Sequence, residues 1–159
     1  MTFISDSLNR IKPSATMVIT AKATQLKREG KKVIGLSSGE PDFDTPQHVK
    51  QAAIDAINSG YTKYTNIEGI PELRQSIVEK FKKDNDLNYD VSNVIVGTGG
   101  KQILFNALMS SLNKDDEVII PAPYWVSYPD MTLLAGGKPI FVDCSSETNF
   151  KLTGDALDK

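Results

Sequence analysis

The fold is decided by the stretch Val94-Ile95-Val96-Gly97-Thr98-Gly99-Gly100-Lys101-Gln102. Its β-branched residues at 94–96 predict a strand buried on both faces, and the glycines that follow predict a tight turn. After the turn, Leu104, Leu108 and Leu112 repeat at helical spacing. We therefore predict a strand, a turn and a helix in that order.

The glycines lie where this helix begins. The first N–H groups of a helix have no acceptor within it, and the helix dipole adds partial positive charge there. The segment Gly99-Gly100-Lys101-Gln102 could therefore hold a phosphate. A turn that merely reverses the chain is an equally good interpretation of the glycines alone. Neither a Walker A motif nor G-x-G-x-x-G is present, so any phosphate belongs to another class of cofactor.

Composition indicates a globular protein with one domain and its own core. The chain has 159 residues, 40% hydrophobic content and a net charge of −2. Its 18 Lys and Arg are scattered among 20 Asp and Glu, which argues against nucleic acid as a partner. No apolar run reaches the roughly 18 residues of a membrane span, and the start lacks a signal-peptide pattern. We expect no membrane partner and a cytoplasmic location.

Residue types common in catalysis are scarce. Cys144 is the single cysteine, so an internal disulfide is excluded, and with the single His48 it gives too few ligands for a zinc site. We predict no metal site. Cys144 is expected to be a residue at a strand end rather than a nucleophile, and His48 to be a solvated residue in the first turn of a helix. An enzyme of this composition would need a cofactor or residues outside this sequence.

The remaining chain alternates helices and short apolar runs. An extended arm at residues 1–14 should pack on another element. Thr45 is expected to cap a helix with Pro46 at its first position, and Pro71 to open another. Further helices are predicted at 15–29 and 126–134, and further strands at 33–36, 117–120 and 139–142.

Strands separated by such helices predict parallel pairing with right-handed crossovers, and hence an α/β sheet. Ligands bind beyond the carboxyl ends of such strands, where residues 98–101 and Tyr124-Trp125 lie. The last residues, 150–159, look like the beginning of a helix. Because a sheet of about three strands would keep open edges and an uncovered face, we expect this chain to be a fragment of a larger protein.

Four stretches fall in or beside the predicted cleft, and together they resemble class I pyridoxal-phosphate-dependent aminotransferases. The likeness is greatest to the bacterial aspartate aminotransferase subgroup, which includes enzymes active on prephenate, and it runs from about Lys12 onward. The four stretches are Ser38-Gly39-Glu40-Pro41-Asp42-Phe43, residues 63–74, Thr98-Gly99-Gly100-Lys101-Gln102 and residues 121–129. The resemblance implies the first part of a fold-type I transferase, with a mostly parallel sheet flanked by helices. Residues 1–45 would form an N-terminal arm and small-domain segment, and residues 46–159 the truncated start of the large cofactor-binding domain.

The same resemblance implies a set of cofactor-binding residues. Gly99, Gly100 and Lys101 match the cup for the phosphate of pyridoxal 5'-phosphate. Trp125 matches the ring that stacks on the pyridine, where a flat apolar face can fix a flat cofactor. Tyr64 matches the tyrosine that crosses a dimer interface to the phosphate of the neighbouring subunit. The alternatives are an ordinary core role for Trp125 and a packing role for Tyr64.

Substrate-binding residues are implied in the same way. Gly39 matches the position whose N–H meets the substrate α-carboxylate, and Trp125 is expected to face the substrate as well as the cofactor. Lys101 matches a lysine that meets the distal carboxylate of aspartate or glutamate, and Lys12 one linked to the use of prephenate. A simple turn glycine and two solvated lysines are the alternatives.

No catalytic residue is expected within this chain, because the lysine that attaches the cofactor would lie beyond residue 159. The resemblance implies that the intact protein moves an amino group from aspartate or glutamate to a 2-oxo acid in two half-reactions. Candidate acceptors are 2-oxoglutarate, oxaloacetate and prephenate. A homodimer with shared active sites is expected, whereas the 159 residues alone should be inactive. The rival hypotheses are a phosphate- or nucleotide-binding α/β domain without transferase chemistry and a non-catalytic interaction fragment.

Overall fold

The computed structural model describes residues 3–37 and 39–158. Ser38, in the first of the four stretches, and Lys159, at the end of the last predicted helix, lie outside the described residues. The chain divides into two compact units. We call the unit formed by residues 1–39 and 101–159 the sheet unit, and the unit Glu40–Gly100 the helical unit.

Helices dominate the described part of the chain. The α-helices there are α1 (Ala15–Arg28), α2 (Gln47–Asn58), α3 (Pro71–Asn85), α4 (Gly99–Ser111), α5 (Ser127–Leu134) and α6 (Gly154–Leu157), the strands are β1 (Glu117–Ala122) and β2 (Lys138–Asp143), and short 3₁₀ helices span Asp6–Arg10, Val91–Asn93 and Ser146–Thr148. The predicted helices at 15–29 and 126–134 are confirmed to within one residue at each end. Pro71 is the first residue of α3, as expected from its fixed φ and missing N–H.

The sheet unit contains one parallel pair of strands. Glu117 lies opposite Lys138, and the register continues to Ala122 opposite Asp143. Helix α5 connects the strands and packs on both of them. The predicted strands at 117–120 and 139–142, their parallel pairing and the α/β class are therefore confirmed.

Two of the predicted strands are wrong. Among the described residues, neither 33–36 nor 94–96 joins a sheet, and Leu36 and Ile95 are 92% and 63% exposed. A strand requires a partner with which to exchange backbone hydrogen bonds. Val94 has extended dihedral angles. Its segment bonds to another loop through Val96 N–H, which donates to Glu68 O at 2.9 Å, and this contact is not a strand pairing. The expected burial on both faces is wrong for the same reason.

The start of α2 differs from the prediction by one residue. Pro46 is the N-cap, not the first helical residue, and its backbone is extended, with ψ of 142°. Its carbonyl accepts the first helical bond, from Lys50 N–H at 3.1 Å, so Pro46 and not Thr45 occupies the cap position. Gly60, with φ of +82°, follows the end of the helix as expected.

The core of the sheet unit lies between α5 and the strands. Ile120, Met131 and Cys144 are its buried hydrophobic residues, and Thr132 is buried with its hydroxyl donating to Tyr128 O at 3.0 Å. Cys144 directly follows β2, as predicted, and its N–H donates to the carbonyl at the end of β1 at 2.8 Å. Burial of such side chains stabilises the parallel pair by roughly 1.5–3 kcal/mol each.

The other face of the strand pair is open. Ile119 and Ile140 lie opposite each other in register and are 45% and 37% exposed. Beside β1, an apolar pocket of about 310 Å³ is lined by side chains of α4, β1 and α5. In α/β proteins, an apolar sheet face of this kind is normally covered by further elements.

The N-terminal arm packs on another element, as predicted, but it is not extended throughout, because Asp6–Arg10 forms a 3₁₀ helix. Its 3₁₀ helix, Asp6–Arg10, contacts α5, and Arg10 Nη1 donates to Leu133 O at 3.2 Å. Carbonyls in the last turn of a helix have no partner within the helix, and a cation there also interacts favourably with the dipole. Arg10 therefore fixes the arm to the C-terminal end of α5.

Within residues 3–37 and 39–158, no helix combines the length and apolar character needed to cross a bilayer. In the same residues, His, Cys, Asp and Glu side chains form no group that could hold a metal ion.

Candidate functional site

The centre of the candidate site is the start of α4, where the chain turns on glycine. Gly99 has φ of +79°, a conformation that side-chain-bearing residues rarely adopt, and its N–H donates to Gly97 O at 3.0 Å. A Cβ atom added to Gly99 or Gly100 would meet no atom within 4 Å. The helix therefore begins against open space, which a ligand can enter up to the backbone.

The electrostatics of this helix start favour an anion. Its first turn contains no acidic residue, and the dipole places partial positive charge there. Gly99 N–H is used by Gly97 O, and the next N–H groups in the first turn of a helix have no acceptor within the helix. Because Gly99 N–H is already used, the donors available to a phosphate would begin at Gly100.

Trp125 lies between the end of β1 and the start of α5. Its indole Nε1–H donates to Ser127 Oγ at 3.2 Å, and its carbonyl accepts the N–H of Tyr128 at 3.0 Å. These bonds orient the residue, yet it remains 57% exposed. A ring that is held in place with a free surface suits stacking on a ligand better than packing in a core.

The structure brings Lys101 and Trp125 together. The ammonium Nζ of Lys101 lies over the indole, 5.8 Å from the ring centroid, which is within the range of a cation–π contact. None of the ion pairs recorded among the described residues includes Lys101. The ammonium therefore lies near the ring, and none of these ion pairs competes with a carboxylate for it.

The other predicted site residues are exposed. Gly39 and Lys12 belong to the sheet unit, and no hydrogen bond, ion pair or ring contact joins either of them to Lys101 or Trp125 in the described residues. Open space surrounds Gly39, as it does the glycines of the α4 start. Tyr64 belongs to the helical unit, where it is fully exposed in the loop that follows α2. The roles assigned to these three residues stay predictions.

Sequence reasoning missed the function of Arg74. From the first turns of α3, its guanidinium donates through Nε to Val94 O at 2.9 Å and through Nη2 to Val91 O at 2.6 Å. Val94 begins the extended segment that leads into the glycine turn, and Val91 belongs to the 3₁₀ helix just before it. No local pattern indicates such contacts, because the partners are 17 and 20 residues away in sequence.

Gly69 was missed for a similar reason. It has φ of +105°, and an added Cβ would lie 2.8 Å from Val96 Cγ2. The neighbouring carbonyl, Glu68 O, accepts Val96 N–H. Only glycine allows the loop before α3 to approach Val96 this closely. The sequence does show a glycine two residues before a helix-opening proline. This pattern indicates a turn, but it does not indicate which residue the turn contacts.

These features define an α/β protein whose glycine-rich helix start fits a phosphate group and whose exposed indole fits a flat ring. The chain itself can be assigned more closely. The family model "Aminotransferase class I and II" matches residues 31–159. The chain therefore belongs to the class I and II aminotransferase family.

Similar proteins carry consistent names. The chain is 58% identical over 159 residues to a "Probable aspartate/prephenate aminotransferase" of Rickettsia bellii, covering all of this chain and 40% of that protein. It is 60% identical over 158 residues to the "Aspartate/prephenate aminotransferase" of Cereibacter sphaeroides, covering 99% of this chain and 40% of that protein. The solved aspartate aminotransferase of Thermus thermophilus with maleate is 45% identical, with a TM-score of 0.94 over 99% of this chain and 41% of that one. The fold is thus that of fold-type I aminotransferases, and the chain spans about two-fifths of its relatives' length.

Loss of the Lys101 charge should change the fluorescence of Trp125. Trp125 is the only tryptophan in the sequence, so the emission of the 159-residue chain reports on this ring alone. Lys101→Met keeps the length of the side chain but removes the cation from the ring face, and we expect a change in emission wavelength or intensity. Lys151→Met, which alters an exposed lysine elsewhere, should leave the spectrum unchanged. If the spectrum of Lys101→Met is also the same as that of the unmodified chain, the contact is contradicted.

Proposed function

We propose that the protein to which this chain belongs is a pyridoxal-phosphate-dependent aminotransferase. It moves the amino group of aspartate or glutamate to a 2-oxo acid, with 2-oxoglutarate, oxaloacetate and prephenate as acceptors. The observation that carries the proposal is the open, acid-free start of α4 together with the Lys101–Trp125 contact, in a chain of this family. A phosphate-binding domain without transferase chemistry is disfavoured by that family membership.

The described residues fit the cofactor. Pyridoxal phosphate, when bound, supplies an electron sink for the bonding electrons released at the substrate α-carbon. The N–H groups of the α4 start would bind its phosphate, and the absence of a side chain at Gly99 and Gly100 lets the phosphate approach the backbone. Trp125 would offer one indole face to the ring and exclude water from it.

The substrate would be bound through its carboxylates. The backbone N–H of Gly39 would meet the α-carboxylate, and Lys101 would meet the distal carboxylate of a dicarboxylic substrate. The indole beneath Lys101 limits the positions of its ammonium. A charge-assisted hydrogen bond from a held ammonium favours acidic substrates over apolar ones. Lys12, exposed after the anchored 3₁₀ helix, is proposed to act in the same way on prephenate.

The group that moves the proton at the α-carbon is proposed to lie outside this chain. Relatives of this chain are about two and a half times as long, and we expect the cofactor-attaching lysine in the additional part. We also propose residues 1–45 as an arm and small-domain segment, residues 46–159 as the start of the large domain, and a cytoplasmic location.

We further propose a homodimer with shared active sites. Tyr64 supports this because its ring is fully exposed, on a loop that leaves it free to reach another subunit. Two-fold dimers are also the commonest oligomers among soluble proteins.

The first test is the kinetic pattern of the full-length protein. Since one amino group is carried by the cofactor between two half-reactions, initial rates at several fixed concentrations of 2-oxo acid should give parallel double-reciprocal lines. Removal of the cofactor should abolish transamination, and added pyridoxal phosphate should restore it. Intersecting lines, or full activity after rigorous removal of the cofactor, would contradict the proposal.

Replacement of the lysines should separate the substrates. Lys101→Ala should lower kcat/KM for aspartate and glutamate by about ten- to a hundredfold relative to an apolar amino acid, since a hydrogen bond from a charged group is worth about 1.5–3 kcal/mol. Lys12→Ala should lower kcat/KM for prephenate and spare oxaloacetate. The ratios are to be measured at full cofactor saturation. If excess cofactor rescues a uniform loss in Lys101→Ala, then Lys101 acts on the phosphate and not on the substrate.

Subunit mixing should reveal the shared site. A Tyr64→Phe subunit mixed with a subunit that lacks the cofactor-attaching lysine should regain one working site per heterodimer, because both defects then fall in the same site and leave the other site intact. The matched control is Tyr61→Phe, an exposed tyrosine of the same loop, which should be active without mixing. If Tyr64→Phe is impaired and subunit exchange restores no activity, Tyr64 does not act across an interface.

A further inference from the structure

We propose that Arg74 is a positioning residue that holds the phosphate-binding start of α4 in place. This inference rests on the function proposed above. The two bonds from its guanidinium, to Val94 O at 2.9 Å and to Val91 O at 2.6 Å, hold the backbone just before the glycine turn at two points. Arg74 is only partly exposed, and it would contact neither cofactor nor substrate.

Contacts from residues 68–74, here called the clamp, hold the segment at 94–96. On one side, Arg74 Nε donates to Val94 O, and Arg74 Nη2 donates to Val91 O in the 3₁₀ helix that precedes the segment. On the other side, Val96 N–H donates to Glu68 O at 2.9 Å, and Gly69 packs against the Val96 side chain. Residues 68–74 therefore fix the segment along its length.

The clamp is close enough to control the helix start. Two residues separate Val96 from Gly99, and one of them, Gly97, accepts the Gly99 N–H at 3.0 Å. A displacement of the segment would therefore move the first N–H groups of α4. Backbone donors bind a phosphate oxygen only at about 2.7–3.2 Å and near-linear geometry. A small shift would then weaken phosphate binding without changing any residue that touches the ligand.

The test compares two ligands that differ only in the phosphate. Full-length protein stripped of cofactor is titrated with pyridoxal phosphate and with pyridoxal, and each Kd is measured from the absorbance of the bound compound. The variants are Arg74→Ala and Arg74→Lys, and the control is Lys82→Ala, an exposed residue in the last turn of the same helix. We expect Arg74→Ala to raise the Kd of pyridoxal phosphate at least about tenfold, and that of pyridoxal less than about twofold. Arg74→Lys should lie between, since an ammonium lacks the rigid planar fork that directs two N–H groups at the two carbonyls.

The ratio of the two Kd values separates positioning from general stability. If that ratio stays within about twofold of the unmodified protein in both Arg74 variants, the inference is overturned, whether binding is unchanged or both ligands are lost equally. Should circular dichroism show that Arg74→Ala does not fold, Arg74→Lys decides the matter. If the unmodified protein binds neither compound, the proposed function itself is wrong and the inference falls with it.

Discussion

The glycine turn depends on how the preceding segment satisfies its backbone. An extended segment outside a sheet leaves carbonyl and N–H groups that must find partners elsewhere. Here the planar guanidinium of Arg74 bonds one carbonyl of this segment, Val94 O, and one of the 3₁₀ helix before it, Val91 O. A glycine lets the loop before α3 approach the same segment. These contacts hold the backbone just before the glycine turn.

Helix α5 plays a comparable role in the sheet unit. Its C-terminal end binds the N-terminal arm through Arg10, and its first residue, Ser127, holds the indole of Trp125. The same helix connects and covers the two parallel strands. A short helix of eight residues thus connects the arm, the core and the exposed ring.

Local patterns were sufficient for the helices and for the β1–β2 pair. They also indicated Lys101 and Trp125 as site residues, and the structure brings these two side chains together, while their roles stay predictions. They failed wherever the outcome depended on a distant partner. The apolar runs at 33–36 and 94–96 have the composition of strands, but strand formation requires pairing that composition does not encode. The contacts of Arg74 could not be predicted because its acceptors are backbone carbonyls, which carry no residue signature. The cap of α2 moved by one residue because Pro46 took an extended conformation.

The uncovered face of the strand pair affects how this chain behaves in concentrated solution. Each of the two described strands keeps one edge without a partner, and Ile119 and Ile140 form an exposed β-branched pair beside those edges. Unpaired edges next to apolar side chains are templates for intermolecular β-pairing. Glu117 and Lys138 at the strand starts, with Asp143 at the end of β2, are the gatekeeper charges that oppose such aggregation. Solubility of the 159 residues on their own therefore depends on these charged positions as well as on the small core.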